Sequence, residues 1–270
     1  MKKKSRIPSW VSILIMVYCL GGIVIYYGQE KIMLQPEPVS IDSNYAFPNP
    51  YREVNIPYAA DVNMNVIQFT TKDSVPKGVV LYFHGNKQNI GHYANQAPAF
   101  TRNGYEVWMI DYPGYGKSSG TLTEQGLYDW ALTLYKLARA RYTPDSIVLY
   151  GRSMGSGIAT QLASIRDCKY LLLEAPYYSF PSIMSSYLPI YPYERLIRLK
   201  IPTWQYMQKV TAPVTIFHGT NDGVIRISNA RRLQPYLKPN DRFIEIEGGS
   251  HNDLSAFKPY QQALDSLLSR

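Results

Sequence analysis

The sequence predicts an α/β fold: a mostly parallel central sheet with helices on both faces, entered through antiparallel strands, with a short cap insertion and an N-terminal transmembrane helix. Three observations point to it. From residue 78 onward, short runs that are apolar throughout alternate with longer helical segments, and unalternating apolar strands are those buried on both faces of a parallel sheet. Before that, residues 51–56 and 65–70 alternate apolar with polar at period two, the pattern of half-buried antiparallel strands. At 270 residues, with 46% apolar and 18% charged side chains, the chain can build one large domain with a real core, which excludes disorder as its main theme.

Taken in order, the N-terminus sets Lys2, Lys3, Lys4 and Arg6 ahead of an almost unbroken apolar run over residues 10–27. At helical rise that run spans about 27 Å, close to the hydrocarbon thickness of a bilayer. Trp10 at one end and Tyr26 and Tyr27 at the other suit the two interfaces. Residues 1–9 then read as a basic cytoplasmic flank and 10–27 as the anchor, and the chain after residue 28 is expected outside the cytoplasm, on the periplasmic or extracellular side. A cleaved signal peptide is the competing reading. Against it, residues 1–45 hold no alanine to build an A-x-A site. Residues 28–50 carry Pro36, Pro38, Pro48 and Pro50 without periodicity, and read as an extended linker to a domain over 51–270.

Within that domain, strands are expected near 79–83, 107–110, 146–150, 170–173, 214–217 and 243–246, and helices near 90–102, 124–141, 158–163, 227–236 and 254–268. Residues 176–210 break the alternation, and loops this long inside a compact domain are usually lids or functional insertions. The interval is rich in tyrosine and proline and sets Arg195, Arg198, Lys200 and Lys209 against Glu194 alone. It reads as an aromatic, mildly basic cap over a site, able also to touch an anionic lipid surface. Of the formal charge of +8, four units sit in the N-terminal cluster, leaving 24 minus 20, or +4. The chain has no basic stripe interleaved with stacking aromatics, so nucleic acid is not an expected partner. Cys19 lies in the apolar run and Cys168 stands alone, so no intrachain disulfide is expected.

The strand ending at Tyr150 runs into Gly151-Arg152-Ser153-Met154-Gly155 and at once into a helix-compatible segment. Strand, sharp turn and helix around G-x-S-x-G form a nucleophile elbow, whose strained backbone lifts the serine Oγ clear of the sheet. A serine hydroxyl needs a base to become a nucleophile, and the base needs a group to orient it. Among the four histidines, His84 and His218 precede glycines at strand ends and His92 sits in an expected helix. His251, in the loop between the last strand and the last helix, can swing over the carboxyl edge of the sheet, where open α/β proteins place their sites. Asp222, in the loop after the strand near 214–217, is the expected orienting acid, with Glu174 after an earlier strand as its competitor. The oxyanion of a tetrahedral intermediate calls for two N–H donors. One is expected from Met154 at the start of the elbow helix. The other comes from the loop His84-Gly85-Asn86-Lys87, with Asn86 as the expected donor and Lys87 as the alternative; His84 is expected to bond that loop structurally.

Phe83-His84-Gly85-Asn86, Asp111-Tyr112-Pro113-Gly114-Tyr115-Gly116-Lys117-Ser118, the elbow, His218-Gly219-Thr220-Asn221-Asp222 and Gly249-Ser250-His251 occur in this order. Together they resemble the α/β-hydrolase superfamily, and within it the membrane-anchored Bem46-type and serine aminopeptidase-like hydrolases. The resemblance covers about residues 50–270. It implies an α/β-hydrolase fold, a triad of Ser153, Asp222 and His251, and neither a metal nor an organic cofactor.

The expected activity is hydrolysis of a small-molecule carboxylic ester or thioester through an acyl-enzyme on Ser153, with Tyr112, Tyr177, Tyr178 and Tyr187 as candidate substrate contacts. A serine peptidase acting on short peptides and a catalytically silent membrane-tethered scaffold are the alternatives. The sequence names no protein partner.

Overall fold

A computed structural model of the chain describes residues 8–269, so all the basic residues of the expected cytoplasmic flank lie outside the described residues. The apolar run forms one helix, α1 (Ser9–Met33), of 25 residues, long and apolar enough to cross a membrane, with no part of its most apolar window buried. It extends past the expected end at residue 27. Gln29, Glu30 and Lys31 are good helix formers, and the helix stops only near Pro36, which pushes the residues before it to extended backbone.

The expectation of an extended linker over residues 28–50 is therefore corrected twice. Residues 28–33 are helix, and the remainder is strapped onto the domain. Gln35–Pro36 pairs in parallel with Lys87–Gln88, Val39 N donates to Gly116 O at 2.7 Å, and the Tyr45 hydroxyl donates to Asp111 Oδ2 at 3.3 Å. Proline removes donors but leaves carbonyls free to accept, and Glu37 O takes Asn89 Nδ2 at 2.9 Å. Phe47 then packs against Tyr51 and Phe69.

The antiparallel entry is β1 (Tyr51–Ala59) and β2 (Val62–Phe69), turning at Asp61 with positive φ. After β3 (Gly78–Phe83), the stretch expected as one helix over 90–102 is broken into α2 (Ile90–Tyr93) and α3 (Pro98–Thr101), because Pro98 can start a helix but not continue one. Next come β4 (Tyr105–Ile110), α4 (Glu124–Arg139), β5 (Ile147–Arg152), α5 (Met154–Ala163) and β6 (Tyr170–Glu174). The cap carries three short helices, α6 (Phe180–Ser185), α7 (Tyr193–Leu196) and α8 (Thr203–Met207). The chain closes with β7 (Val214–Gly219), α9 (Ile227–Arg231), β8 (Arg242–Ile246) and α10 (Lys258–Leu268), the last two helices being shorter than expected beside Pro235 and Pro259.

The eight strands of this sheet lie in the order β8-β7-β6-β5-β3-β4-β2-β1, parallel from β3 onward, with β2 antiparallel to β1 and β4. Side chains alternate between two cores along each strand. Val79, Leu81 and Phe83 face the α4–α5 side, while Val80 and Tyr82 face the α3–α10 side. Both faces being covered explains why these strands read as unbroken apolar runs. All the parallel strands deliver their carboxyl ends to one edge, and the cap rises there.

Candidate active site

The chain passes from β5 to α5 through one residue, Ser153, held at φ 51° and ψ −120°. A side chain at positive φ is strained and must be over-determined by its surroundings. Ser153 N donates to Glu174 O at 2.9 Å, and Ser156 N and Oγ both donate to Ser153 O. The flanking glycines allow the close approach: a Cβ on Gly155 would lie 2.0 Å from Phe83 O, and one on Gly151 would lie 2.4 Å from Gly155 O.

Ser153 Oγ lies 3.0 Å from His251 Nε2, and His251 Nδ1 lies 2.8 Å from Asp222 Oδ2. The other carboxylate oxygen, Asp222 Oδ1, accepts from Val224 N at 2.8 Å and Ile225 N at 2.7 Å. Burial alone would raise the Asp222 pKa, but the hydrogen bond and charge of His251 and the Ile225 amide outweigh it and hold the carboxyl below its ordinary value. The imidazole consequently keeps its proton on Nδ1 and presents Nε2 as an acceptor to the serine. Such a line can take the serine proton and stabilise the imidazolium that results. His218 sits behind it, its Nε2 donating to Ile225 O at 2.8 Å, and burial lowers its pKa so that it stays neutral.

Glu174, the competing acid, is engaged elsewhere. Its carboxylate pairs with Arg152 Nε at 3.2 Å and accepts from the Tyr260 hydroxyl at 2.9 Å and from the Tyr150 hydroxyl. Arg152 in turn donates to Asn252 Oδ1 at 3.1 Å and reaches His251 O at 3.5 Å, so this buried pair ties the elbow strand to the histidine loop. Sequence reasoning gives Arg152 no role of its own. The signal is nonetheless there: a cation closing an otherwise apolar, fully buried strand needs a buried partner.

Met154 opens α5, where no preceding turn offers its amide an acceptor. Asn86 is tightly held: its carbonyl accepts from the Tyr115 hydroxyl at 2.8 Å and Gln35 N at 2.9 Å, and its side-chain amide donates to Met33 O. Both Asn86 and Ser153 line two adjoining cavities. Gly85 lets the loop pass close, since a Cβ there would lie 2.7 Å from the Tyr93 hydroxyl and 3.6 Å from Ser153 Cβ. Lys87, the alternative donor, lies on the rim of the polar cavity. His84 is fully buried, its Nδ1 at 2.7 Å from Gly85 O and Nε2 at 3.3 Å from Asp111, which suits a structural role.

The two cavities differ in chemistry. One, of about 350 Å³, is polar and lined by Lys87, Gln88, His92, Asn95, Arg152 and Asn252 among others. The second, of about 140 Å³, is lined on its apolar side by Ile32, Met33, Phe180, Ile183, Met184 and Val224.

None of the four tyrosines expected to meet substrate lines either cavity. Tyr112 is buried and donates to His84 O at 2.8 Å, and Tyr177 is buried and donates to Met154 O at 3.0 Å, so both brace the site from beneath. Tyr178 stacks on Trp204 under Arg232, and Tyr187 donates to the Gly223 and Val224 carbonyls at the cap rim. Tyr112, Tyr115, Tyr135 and Tyr177 each spend an apolar ring on the core and one hydroxyl on a backbone carbonyl, a use that composition does not distinguish from ligand contact.

Comparison with known proteins bears on the family and the fold. Residues 74–191 match the family model described as serine aminopeptidase, S33, a span that takes in the elbow and the first cap helix, α6. Over 195 residues the chain is 32% identical to alpha/beta hydrolase domain-containing protein 17C of Xenopus tropicalis, covering 70% of this chain and 61% of the relative. The human protein of that name is 30% identical, with 57% of it covered. The chain thus spans about three-fifths of the length of these curated relatives. Among solved structures, an esterase of Pyrococcus furiosus superposes with a TM-score of 0.67 at 17% identity, covering 88% of this chain and 98% of the esterase. The esterase domain of a Rhodothermus marinus protein gives 0.60 at 16% identity, covering 82% and 96%.

Proposed function

The chain belongs to the α/β-hydrolase superfamily, and from that premise we propose that it is a membrane-anchored serine hydrolase that cleaves carboxylic esters or thioesters through an acyl-enzyme on Ser153. The observation that carries this reading is the unbroken line from Ser153 Oγ to His251 Nε2 at 3.0 Å and from His251 Nδ1 to Asp222 at 2.8 Å. His251 takes the Ser153 proton as Oγ attacks the substrate carbonyl carbon. The Met154 and Asn86 amides hold the oxyanion. His251 then gives its proton to the departing alcohol or thiol, and water activated by the same imidazole releases the acid.

Substituting Ser153→Ala tests the assignment. Fluorophosphonate labelling and ester turnover should both disappear, with kcat down by about 10⁶; a variant that still labels and turns over rules the reading out.

Peptide hydrolysis is the rival within the same chemistry. An aminopeptidase needs a carboxylate to hold the substrate ammonium, whereas the residues lining the two cavities at Ser153 include Lys87, His92 and Arg152 and, among the described residues, no Asp or Glu. Turnover of acyl esters against aminoacyl amides separates the two. We further place α1 across the membrane with the domain outside the cytoplasm, on the strength of the basic N-terminal cluster. Protease added to spheroplasts should then digest the domain, and survival of a protease-sensitive domain would reverse the topology.

A further inference from the structure

The anchor helix does more than end near the domain. Along its last four turns it is docked on the cap. Tyr18 and Tyr191 stack with centroids 4.6 Å apart, and each hydroxyl donates to a carbonyl across the contact, Tyr18 to Ile190 O at 3.0 Å and Tyr191 to Tyr18 O at 3.1 Å. The contact uses the space left by Gly21, where a Cβ would lie 2.1 Å from the Tyr191 hydroxyl oxygen. Farther down, Gln29 donates to Leu196 O at 3.1 Å and accepts from Arg198 N, and Glu30 pairs with Arg198 at 3.0 Å. Gln29 is the one buried residue of the helix. The helix end then supplies Ile32 and Met33 to the apolar cavity beside Ser153.

This docking has two consequences. If residues 10–27 cross the bilayer, the level of Tyr18 to Gly22 lies roughly 8–14 Å inside the point where Tyr27 leaves it, at 1.5 Å per residue. The cap tip beside that level carries Leu188 and Ile190, 46% and 55% exposed, which water would solvate poorly and a bilayer well. Second, the opposite wall of the cavity is α6, whose Ile183 and Met184 lead in a few residues to that same tip. An apolar path from a bilayer to Ser153 would follow the end of α1 on one side and α6 on the other. Beyond Ser153 the lining turns polar and cationic.

We propose that α1 is a wall of the active site as well as an anchor, and that the cap tip dips into the bilayer, so that the acyl chain of a membrane-resident ester or thioester reaches Ser153 along this path while its polar head lies in the Lys87–Arg152 cavity. The proposal rests on the serine-hydrolase reading above and specifies its substrate as long-chain and membrane-borne.

The test uses the full chain in vesicles of phosphatidylcholine and phosphatidylglycerol, with a soluble acetate ester, a bilayer-held hexadecanoate ester and a small fluorophosphonate. The double variant Leu188→Asp/Ile190→Asp should keep labelling and acetate turnover within about twofold while losing at least about tenfold on the hexadecanoate ester. Ile183→Trp, which narrows the path, should shift chain-length preference by a similar factor toward acetate. A fluorophore on Ile190→Cys in a Cys19→Ser background should be quenched by lipids brominated in their chains. Equal turnover losses on both esters, or an unquenched fluorophore, would overturn the membrane path and leave the nucleophile assignment standing. Absence of labelling and acetate turnover in the wild type would instead remove both.

Discussion

Exchanging one oxygen for an NH₂ at Asp222 should disable the site while leaving its shape intact, and the hydrogen bonds say which oxygen. In Asp222→Asn the two backbone donors, Val224 N at 2.8 Å and Ile225 N at 2.7 Å, require the amide oxygen to take the Oδ1 position. The NH₂ group must then point at His251 Nδ1, now at 2.8 Å from a carboxylate oxygen. Nδ1 can meet a donor only as an acceptor, which moves the imidazole proton to Nε2 and aims it at Ser153 Oγ. The base is lost without loss of a partner. A wrong tautomer in a serine triad costs about 10⁴ in kcat, equivalent to about 5.4 kcal/mol of transition-state stabilisation. Steady-state turnover of a soluble acetate ester measures it, and a melting curve checks that the fold survives. A loss smaller than about tenfold, or a larger loss from Glu174→Gln than from Asp222→Asn, would refute the assignment of Asp222 as the orienting acid.

Other consequences are more structural. Arg152→Met leaves the Glu174 charge buried without its cation and should cost about 3–5 kcal/mol in chemical denaturation, with much of it recovered in Arg152→Met/Glu174→Gln; no recovery would mean that the pair is not the source of the cost. Gly155→Ala drives a methyl to 2.0 Å from the Phe83 carbonyl oxygen, a backbone atom that cannot step aside, so soluble folded protein should not be obtained, and a stable active variant would contradict the elbow geometry. His218 has its pKa lowered by burial, so the unfolded chain binds the extra proton first. That contribution to stability is complete above the ordinary value of 6.5 and is lost as pH falls from there toward the folded-state value. The melting temperature of wild type should decline over that interval, and His218→Gln should flatten the decline.

The order of the strands is legible in the sequence because each is short, apolar throughout and bounded by turn chemistry, and double burial writes that pattern directly into the residues. Ser153, Asp222 and His251 are legible as positions because each stands in a loop after a strand, at the edge where a parallel sheet collects its carboxyl ends. Helix ends are harder to place where Pro98, Pro235 and Pro259 sit, since proline opens a new helix as readily as it closes an old one. Tyrosines 112, 177, 178 and 187 escape a sequence reading for a different reason. A tyrosine whose hydroxyl donates to a backbone carbonyl, or whose ring stacks on Trp204, has the same composition as one that meets a substrate, and only its direction in the fold separates them.

The N-terminal segment shows most clearly what a linear reading misses. Residues 34–50 lack periodicity and hold prolines, features that a free linker and a strap share, because a strap's bonds are made to distant residues. Those bonds converge on one place. Met33 O takes the Asn86 side chain and Gln35 N donates to Asn86 O, while Pro38 and Val39 bridge to Gly116 in the neighbouring loop. Asn86 is the residue proposed to hold the oxyanion, and its backbone orientation is therefore set partly from the N-terminal segment. Shortening the chain past residue 33 would remove Ile32 and Met33 from the apolar wall and one of the bonds that fixes Asn86. The first helix, the strap and the loop at Asn86 form one mechanical unit, so the path that carries the chain out of its first helix also helps to shape the site at Ser153.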